Sequence, residues 1–336
     1  MPSENVTVFA FFNSLVLIQN FMLANRRHIR IKTMQSLYAL NTSNSDRLDI
    51  QEKFLLNSIE KIRELYLSNL SIFIEIRQLE EDILEKSAKK YLATELEKNP
   101  NRKFVDNRVL KCLSESDSIH QALDQEKIKY FQVNDQYIHQ LLSEIKEDDL
   151  YKKYMDNTES SFKEDQDFVL HIFRKIIAPN EKLYNFVEDT QISWADDWPV
   201  VNTAIDKLIK EIRSEDYTIK VPDAFKNQED QKYALELLRK TAINAESFKE
   251  MYADKTKNWD QERIAELDSI VLNMAICELT KFPSIPIKVT INEYLEIVKE
   301  YSTPKSSIFI NGILDSIIKE LKADDKIMKA GRGLIE

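Results

Sequence analysis

The stretch LLNSIEKIRELYLSNLSIFIEI, residues 55–76, decides the fold class. Its apolar side chains recur every three or four residues, which is the spacing of one face of an α-helix. The stretch lies within Asp49–Leu96, a segment without proline or glycine that can therefore form one continuous helix. Asn99-Pro100 predicts where this segment ends, because the residue before a proline leaves the helical region. We therefore expect an all-α protein.

The glycine content favours the same class. The 336 residues include only 3 glycines, Gly312, Gly331 and Gly333. Sandwiches and propellers need many left-handed turn positions, which glycine normally supplies. The sequence also contains neither GxGxxG nor GxxxxGK followed by Ser or Thr, so the usual phosphate-binding loops are missing. Nucleotide-dependent chemistry of the usual kinds is therefore not expected.

Two helix starts can be read near the C-terminal end. Thr303 followed by Pro304 predicts an N-cap and a first helical residue, since proline lacks the N–H that would be unpaired there. Thr290 and Glu293 have the spacing of a capping box, in which each side chain accepts a hydrogen bond from a backbone N–H of the other residue. This spacing predicts a helix that begins after Thr290.

Cysteine and histidine are sparse. Cys112 and Cys277 are far apart, no CxxC occurs, and the four histidines are scattered. A disulfide framework, a metal site and a cofactor are therefore not expected. No Ser–His–Asp or paired-carboxylate pattern stands out, so we do not expect an enzyme. Two thiols in a chain of this size fit a reducing compartment, and we expect a cytoplasmic protein.

The N-terminal stretch 6–21 is apolar but is interrupted by Asn13, Ser14, Gln19 and Asn20. It is too short and too mixed for a membrane span, and no Lys or Arg occurs before Arg26, as a signal peptide would require. We expect Met22 to be the biological start and residues 1–21 to be an upstream extension. The alternative is a short amphipathic arm that packs on the body of the protein.

An internal repeat is found when the chain is shifted by 65 residues. The matches run in register for about thirty residues, and they include two tryptophans, which are rare. We interpret the repeat as a duplicated helical hairpin; the alternative is two amphipathic helices of similar composition. The matched pairs are Asp165/Asp230, Gln166/Gln231, Phe168/Tyr233, Leu170/Leu235, Arg174/Arg239, Lys175/Lys240, Glu181/Glu246, Asp189/Asp254 and Trp194/Trp259.

One short segment, Asn25–Lys32, is strongly basic in a chain whose net charge is −10. Its cations are Arg26, Arg27, Arg30 and Lys32. A local cluster on an acidic chain favours a directed contact over a general affinity for polyanions. Guanidinium groups bind phosphate oxygens in pairs and stack on unpaired bases, which suits single-stranded RNA.

Two interpretations of this basic segment remain open from the residues alone. The arginines are either RNA contacts or a solvated or salt-bridged helix start. Tyr38, on the same predicted helix, either stacks on a base or packs in the core.

Separated parts of the chain resemble the bacterial transcription antitermination factor NusB. The opening resembles the arginine-rich N-terminus of that family, and two later signatures follow in the family's order. The matching segments are RRHIRIKTMQSLYALN (Arg26–Asn41), IAELDSIVLNMAICEL (Ile264–Leu279), PIKVTINE (Pro286–Glu293) and FINGILD (Phe309–Asp315).

The resemblance implies a helical bundle that binds the boxA element of ribosomal RNA leader transcripts. It also implies ribosomal protein NusE as a partner, in a complex that makes RNA polymerase resist termination. Asp268 matches an acidic position on the helix that faces NusE; the alternative is a surface carboxylate. Asn311-Gly312 is expected to allow close helix packing. The residues assigned to RNA are Arg26, Arg27, Arg30, Lys32, Tyr38, Lys305 in an adjacent loop, and Phe309.

The chain departs from compact NusB proteins in one large helical insertion after the first helix. Its role is open, and the two hypotheses are a docking surface for another protein and a cover over part of the RNA path. The expected plan is an upstream extension at 1–21, a first NusB-like helix at 22–44, the insertion at 45–225, the remainder of the NusB-like domain at 226–322 and a flexible tail at 323–336.

Two other functions deserve comparison. A helical scaffold that has lost RNA binding is the main alternative, although the retained arginines speak against it. An enzyme is the other, because NusB-like modules also occur fused to ribosomal RNA cytosine methyltransferases. Neither Cys112 nor Cys277 follows a proline, and no glycine-rich cofactor loop is present, so this alternative is weak.

Overall fold

The computed structural model describes residues 22–43, 47–256 and 266–334, and every regular element in these ranges is a helix. This confirms the all-α prediction. Helix α1 spans Arg26–Thr42, and α2 spans Leu48–Ala88. Helix α2 contains the predicted stretch 55–76, but it ends at Ala88, before the predicted end at Asn99-Pro100. Tyr91, just beyond that end, is fully exposed, so no packing supports a longer helix there.

The described chain forms two compact units. Unit 1 comprises Lys61–Lys226 with Met22 and Leu23, and unit 2 comprises Ala24–Glu60 and the described residues from Asn227 onward. The first division falls inside α2, between Glu60 and Lys61, whereas the predicted insertion begins at residue 45. The second division lies next to the predicted end of the insertion at residue 225.

Unit 1 has a core of large side chains that includes Phe73, Phe104 and Phe168. Trp194 is also buried, and its indole N–H donates to the carbonyl oxygen of Lys61 at 2.8 Å. The helices of unit 1 after α2 are α3 (Glu95–Lys98), α4 (Arg108–Ser114), α5 (Asp117–Glu126), α6 (Tyr130–Val133), α7 (Asp135–Glu147), α8 (Asp149–Asp156), α9 (Phe162–Ile172), α10 (Glu181–Thr190) and α11 (Trp198–Glu211).

Unit 2 is built around one helix that is buried on nearly all sides. Its helices after α2 are α12 (Gln228–Ile243), α13 (Ala245–Ala253), α14 (Glu266–Lys281), α15 (Ile287–Tyr301) and α16 (Pro304–Ala323). Helix α14 packs against α1, α12, α13, α15 and α16. Its run from Ile270 to Leu279 is entirely buried, and each buried aliphatic side chain contributes about 1.5–3 kcal/mol.

The two predicted helix starts have different outcomes. The Thr303 cap is confirmed, because its side chain accepts the N–H of Ser306 and Pro304 begins α16. The capping box at Thr290 is wrong, because α15 begins earlier, at Ile287. The Thr290 hydroxyl donates instead to the carboxylate of Glu278 at 2.8 Å, so a tertiary contact uses the side chain that the local pattern assigned to the backbone.

The segment after α16, expected as a flexible tail, contacts unit 2 in its described part. The N–H of Ala330 donates to the carbonyl oxygen of Pro283 at 3.0 Å. The Lys329 ammonium donates to the carbonyl oxygens of Glu278 and Phe282, at 3.4 and 3.1 Å, where α14 ends. A cation at a helix C-terminus satisfies unpaired carbonyls and complements the helix dipole.

Gly312 does not serve close packing, contrary to the expectation for Asn311-Gly312. A Cβ added at this position would meet no atom within 4 Å. The expectations for residues 1–21, and the repeat match at Trp259, lie outside the described residues. None of the described helices is both long enough and apolar enough to span a membrane.

Candidate nucleic-acid interface

Helix α1 begins with two arginines, which is an unfavourable place for positive charge. The dipole of a helix makes its N-terminus positive, and no acidic residue lies in the first turn of α1. Asn25 caps the helix by accepting the N–H of His28 at 2.9 Å. Carboxylates from three other helices then offset the arginines, and each arginine has a different principal partner.

Arg26 pairs with Asp230 at the start of α12. The Nε of Arg26 donates to Oδ1 of Asp230 at 2.6 Å, and the guanidinium lies 4.2 Å from the ring centroid of Tyr233. Asp230 is buried, whereas 42% of the Arg26 side chain is exposed. Asp230 therefore binds one edge of this guanidinium, while part of the Arg26 side chain remains at the surface.

Arg27 pairs with Glu293 on α15. Its Nε and Nη2 donate to the two carboxylate oxygens at 2.9 Å each, and 43% of the side chain is exposed. The hydrogen bond to Glu293 raises the pKa of Arg27. An exposed ion pair contributes only about 0–1 kcal/mol, so another anion can replace Glu293 at little cost.

Arg30 makes the same two-bond pair in the interior. Its guanidinium donates to both oxygens of Glu278 on α14 at 2.9 Å, and only 2% of its side chain is exposed. Glu278 also accepts the hydroxyl protons of Tyr233, Thr290 and Tyr294. Burial raises the pKa values of both tyrosines well above the usual value, so they remain protonated donors. We call these five side chains the Glu278 network.

Three predicted RNA-binding side chains are buried, which corrects their expected surface position. They are Arg30, Lys32 and Phe309. Arg30 turns toward α14 because Glu278 compensates its charge there, and Phe309 lies on the packed face of α16. A buried side chain presents no group to a ligand in this arrangement.

The other predicted positions reach the surface. Tyr38 is 44% exposed, so it is not a core residue. Lys305 is exposed too, but it lies in the first turn of α16 rather than in a loop. The exposed groups among the predicted RNA contacts are therefore Arg26, Arg27, Tyr38 and Lys305.

Asp268, the predicted partner contact, is buried near the N-terminus of α14. Its Oδ1 accepts the hydroxyl proton of Ser302 at 2.7 Å, so it ties α14 to the end of α15. Asp268 is therefore not a surface carboxylate in this structure.

Three acidic partners of the basic segment were missed by the sequence reasoning, namely Asp230, Glu278 and Glu293. Glu278 offered a signal, because it is one charge within the apolar run MAICEL. A charge in such a run is normally paired when buried. Within the described part of the chain, no group of three or more His, Cys, Asp or Glu side chains could hold a metal ion.

Comparison with known proteins agrees with the resemblance. Residues 200–319 match the model of the NusB family. The chain is 42% identical over 103 residues to the transcription antitermination protein NusB of Salinibacter ruber, which is 31% of this chain and 64% of that protein. It is 35% identical over 134 residues to NusB of Chloroherpeton thalassium, which is 39% of this chain and 59% of that protein.

A third relative, NusB of Methylacidiphilum infernorum, is 38% identical over 94 residues, which is 28% of this chain and 66% of that protein. The chain thus spans less than two thirds of the length of each of these relatives. No solved structure matches the chain significantly. Residues 200–319 of the chain are therefore similar to the NusB family.

Proposed function

We propose that the chain is a transcription antitermination factor that binds boxA-like RNA of ribosomal RNA leader transcripts. In this proposal it acts with ribosomal protein NusE and helps RNA polymerase resist termination. The observation that carries the proposal is the exposed Arg27 at the start of α1, in a unit that shares most of the matched NusB segment.

The geometry of α1 supports an RNA path along this helix. Arg27 and Tyr38 are eleven residues apart, which is close to three helical turns, so they lie on one face about 16 Å apart along the axis. A cation that binds phosphate and a ring that stacks on a base are the two elements of a single-strand site. Arg26 and Lys305 add exposed positive charge in the same unit.

NusE is proposed as the protein partner on the strength of the family match alone. Asp268 is buried, so the residues that contact NusE are left unassigned. A second candidate function is a helical scaffold without RNA binding. It is favoured by one observation, that Arg26, Arg27 and Arg30 are all paired with carboxylates.

Fluorescence anisotropy with boxA-like and scrambled RNA, with and without NusE, tests the proposal. For a single strand, the logarithm of the binding constant falls with the logarithm of salt concentration by about 0.7 per phosphate contact. We expect Arg27→Gln and Lys305→Gln each to flatten this slope by about 0.7. Lys319→Gln, an exposed change on the same helix as Lys305, is the control and should leave the slope unchanged.

Two outcomes would contradict the RNA proposal. Equal affinity for boxA-like and scrambled RNA would remove the specificity that the proposal requires. Absent binding by the folded protein would favour the scaffold, and a pull-down with NusE would then show whether the protein partnership survives without RNA.

A further inference from the structure

Helices α9 of unit 1 and α12 of unit 2 share five buried positions when aligned at the 65-residue shift, counting Phe173, which directly follows α9. Gln166 and Leu170 are also buried in α9, whereas their matches Gln231 and Leu235 are half-buried. The shared positions follow one helical face, and the arginine near each helix end, Arg174 or Arg239, is exposed in both. Similar composition would not by itself place the buried face in the same register. The positions buried in both helices are Asp165/Asp230, Phe168/Tyr233, Val169/Ala234, Ile172/Leu237 and Phe173/Leu238.

The first of these matched positions makes the same contact in both units. Asp165 accepts a hydrogen bond from Nε of Arg108 at 2.7 Å, as Asp230 accepts one from Nε of Arg26 at 2.6 Å. Both aspartates are buried, and both arginines are only partly so. A buried carboxylate lowers stability unless a positive charge pairs with it. Each aspartate therefore depends on its arginine, which makes the repeated contact a specific shared feature.

The arginines also occupy equivalent places in their helices. Arg108 is the first residue of α4, and Arg26 is the first residue of α1. The preceding residue is an asparagine in both cases, Asn107 or Asn25, and its side chain caps the helix by accepting backbone N–H groups.

The packing around these helices is shared in part, although α1 also packs against α14, whereas α4 does not pack to a similar extent against α11. Helix α4 packs against α9, and α9 packs against α11; likewise α1 packs against α12, and α12 packs against α14. The similarity therefore extends beyond the hairpin seen in the sequence to an additional helix. Its place along the chain differs, because Arg108 lies 57 residues before Asp165, whereas Arg26 lies 204 residues before Asp230.

We propose that unit 1 is a diverged copy of the helical framework of unit 2, in which Asp165 positions Arg108 as Asp230 positions Arg26. Unit 1 has kept this aspartate–arginine pair but has lost the exposed arginine that is proposed to contact RNA phosphate in unit 2. The residue after Arg108 is Val109, which is fully buried, whereas the residue after Arg26 is the exposed Arg27. The framework equivalence is independent of the RNA proposal, and the lost anion contact rests on it.

Amide hydrogen exchange of the full chain tests the framework equivalence. We expect Asp165→Asn to speed exchange in α4 and α9 by about tenfold or more, and Asp230→Asn to do the same in α1 and α12, because each change removes a charge-assisted hydrogen bond. Asp167→Asn on α9 and Glu229→Gln on α12 are exposed controls and should leave exchange within about twofold.

A second arm tests whether each pair acts as a unit. Arg108→Gln should add little to Asp165→Asn, and Arg26→Gln should add little to Asp230→Asn, since either change already breaks the pair. Unchanged exchange in α4 with Asp165→Asn, or fully additive effects in either unit, would overturn the equivalence.

An RNA titration of the same variants tests the divergence. We expect Asp165→Asn to leave the affinity for boxA-like RNA within about twofold. Asp230→Asn should weaken it by about fivefold or more, because α1, which carries the proposed RNA contacts, is then no longer held in place by Asp230. Equal weakening by both variants would overturn the lost contact in unit 1. If Asp230→Asn loosens α1 without changing RNA binding, the proposed RNA site fails while the framework equivalence stands.

Discussion

Glu278→Gln is the change that most directly tests why α1 is fixed in unit 2. The substitution keeps the size of the side chain and removes its charge. Glu278 is fully buried and accepts two hydrogen bonds from Arg30, along with hydroxyl protons from the Glu278 network. A glutamine in its place can accept through one oxygen only, and its amide N–H groups would face donors.

The expected loss is large because it leaves a guanidinium buried without a countercharge at hydrogen-bond distance. Breaking a buried ion pair by removing one partner costs about 3–5 kcal/mol. A whole domain is stable by only about 5–15 kcal/mol, so the change should remove about a fifth or more of that stability. Glu293→Gln is the comparison variant, since Glu293 makes the same two-bond contact with the more exposed Arg27. Glu293 also lies 3.6 Å from Nη1 of Arg30, but Arg30 keeps both hydrogen bonds to Glu278 in this variant, so we expect a clearly smaller loss than with Glu278→Gln.

Urea unfolding followed by circular dichroism measures the free energy of both variants, and hydrogen exchange in α1 locates the loss. Because two units can unfold separately, exchange in α4 serves as the internal reference. If Glu278→Gln costs no more than Glu293→Gln, the Glu278 network does not fix α1. If Glu278→Gln fails to fold, Glu278→Gln with Arg30→Met should recover folding, because it removes the uncompensated charge.

Further outcomes follow from the same contacts. Gly312→Ala should raise stability by about 0.5–1 kcal/mol in a thermal melt, since the position is helical and open. Gly333→Ala should lower it, because a Cβ there would overlap the carbonyl oxygen of Pro283. Burial raises the pKa of Cys277 to about 12, so an aromatic disulfide at pH 8 should modify half-buried Cys112 and leave Cys277 unmodified until unfolding. Glu293→Gln should tighten RNA binding about two- to fivefold in anisotropy by releasing Arg27; unchanged affinity would argue against Arg27 as a contact.

The sequence predicts the helices of this protein better than their ends. Periodic apolar residues identify α2 because the buried side chains before residue 65 recur at helical spacing, although every residue from 65 to 73 is buried. Its end at Ala88 is set by loss of packing beyond that residue, which no local pattern encodes, and isolated helical turns are marginal in water. Thr303 and Thr290 show the same limit. The Thr303 cap forms with a backbone N–H of its own helical turn, so the local sequence predicts it. The Thr290 hydroxyl does not cap a helix, because it donates to Glu278, twelve residues away.

The basic segment begins α1, but the position of each of its cations cannot be predicted from spacing. Helical spacing places Arg26 and Arg30 on one face, and the structure does bring both guanidinium groups near the ring of Tyr233. What spacing cannot show is that this face meets carboxylates 204 and 248 residues further along the chain. Tertiary packing, and not local sequence, therefore determines which arginine stays at the surface and which forms a buried ion pair.

Loss of RNA binding after an arginine substitution would accordingly have two different meanings in α1. Removing Arg27 deletes an exposed charge and should flatten the salt dependence, because one fewer counterion is released. Removing Arg30 deletes half of a buried pair, which should lower affinity by releasing α1 from α14 while the bound form keeps the same phosphate contacts and the same slope. The slope of affinity against salt, rather than affinity itself, therefore separates the residue that contacts RNA from the residue that holds the contact in place.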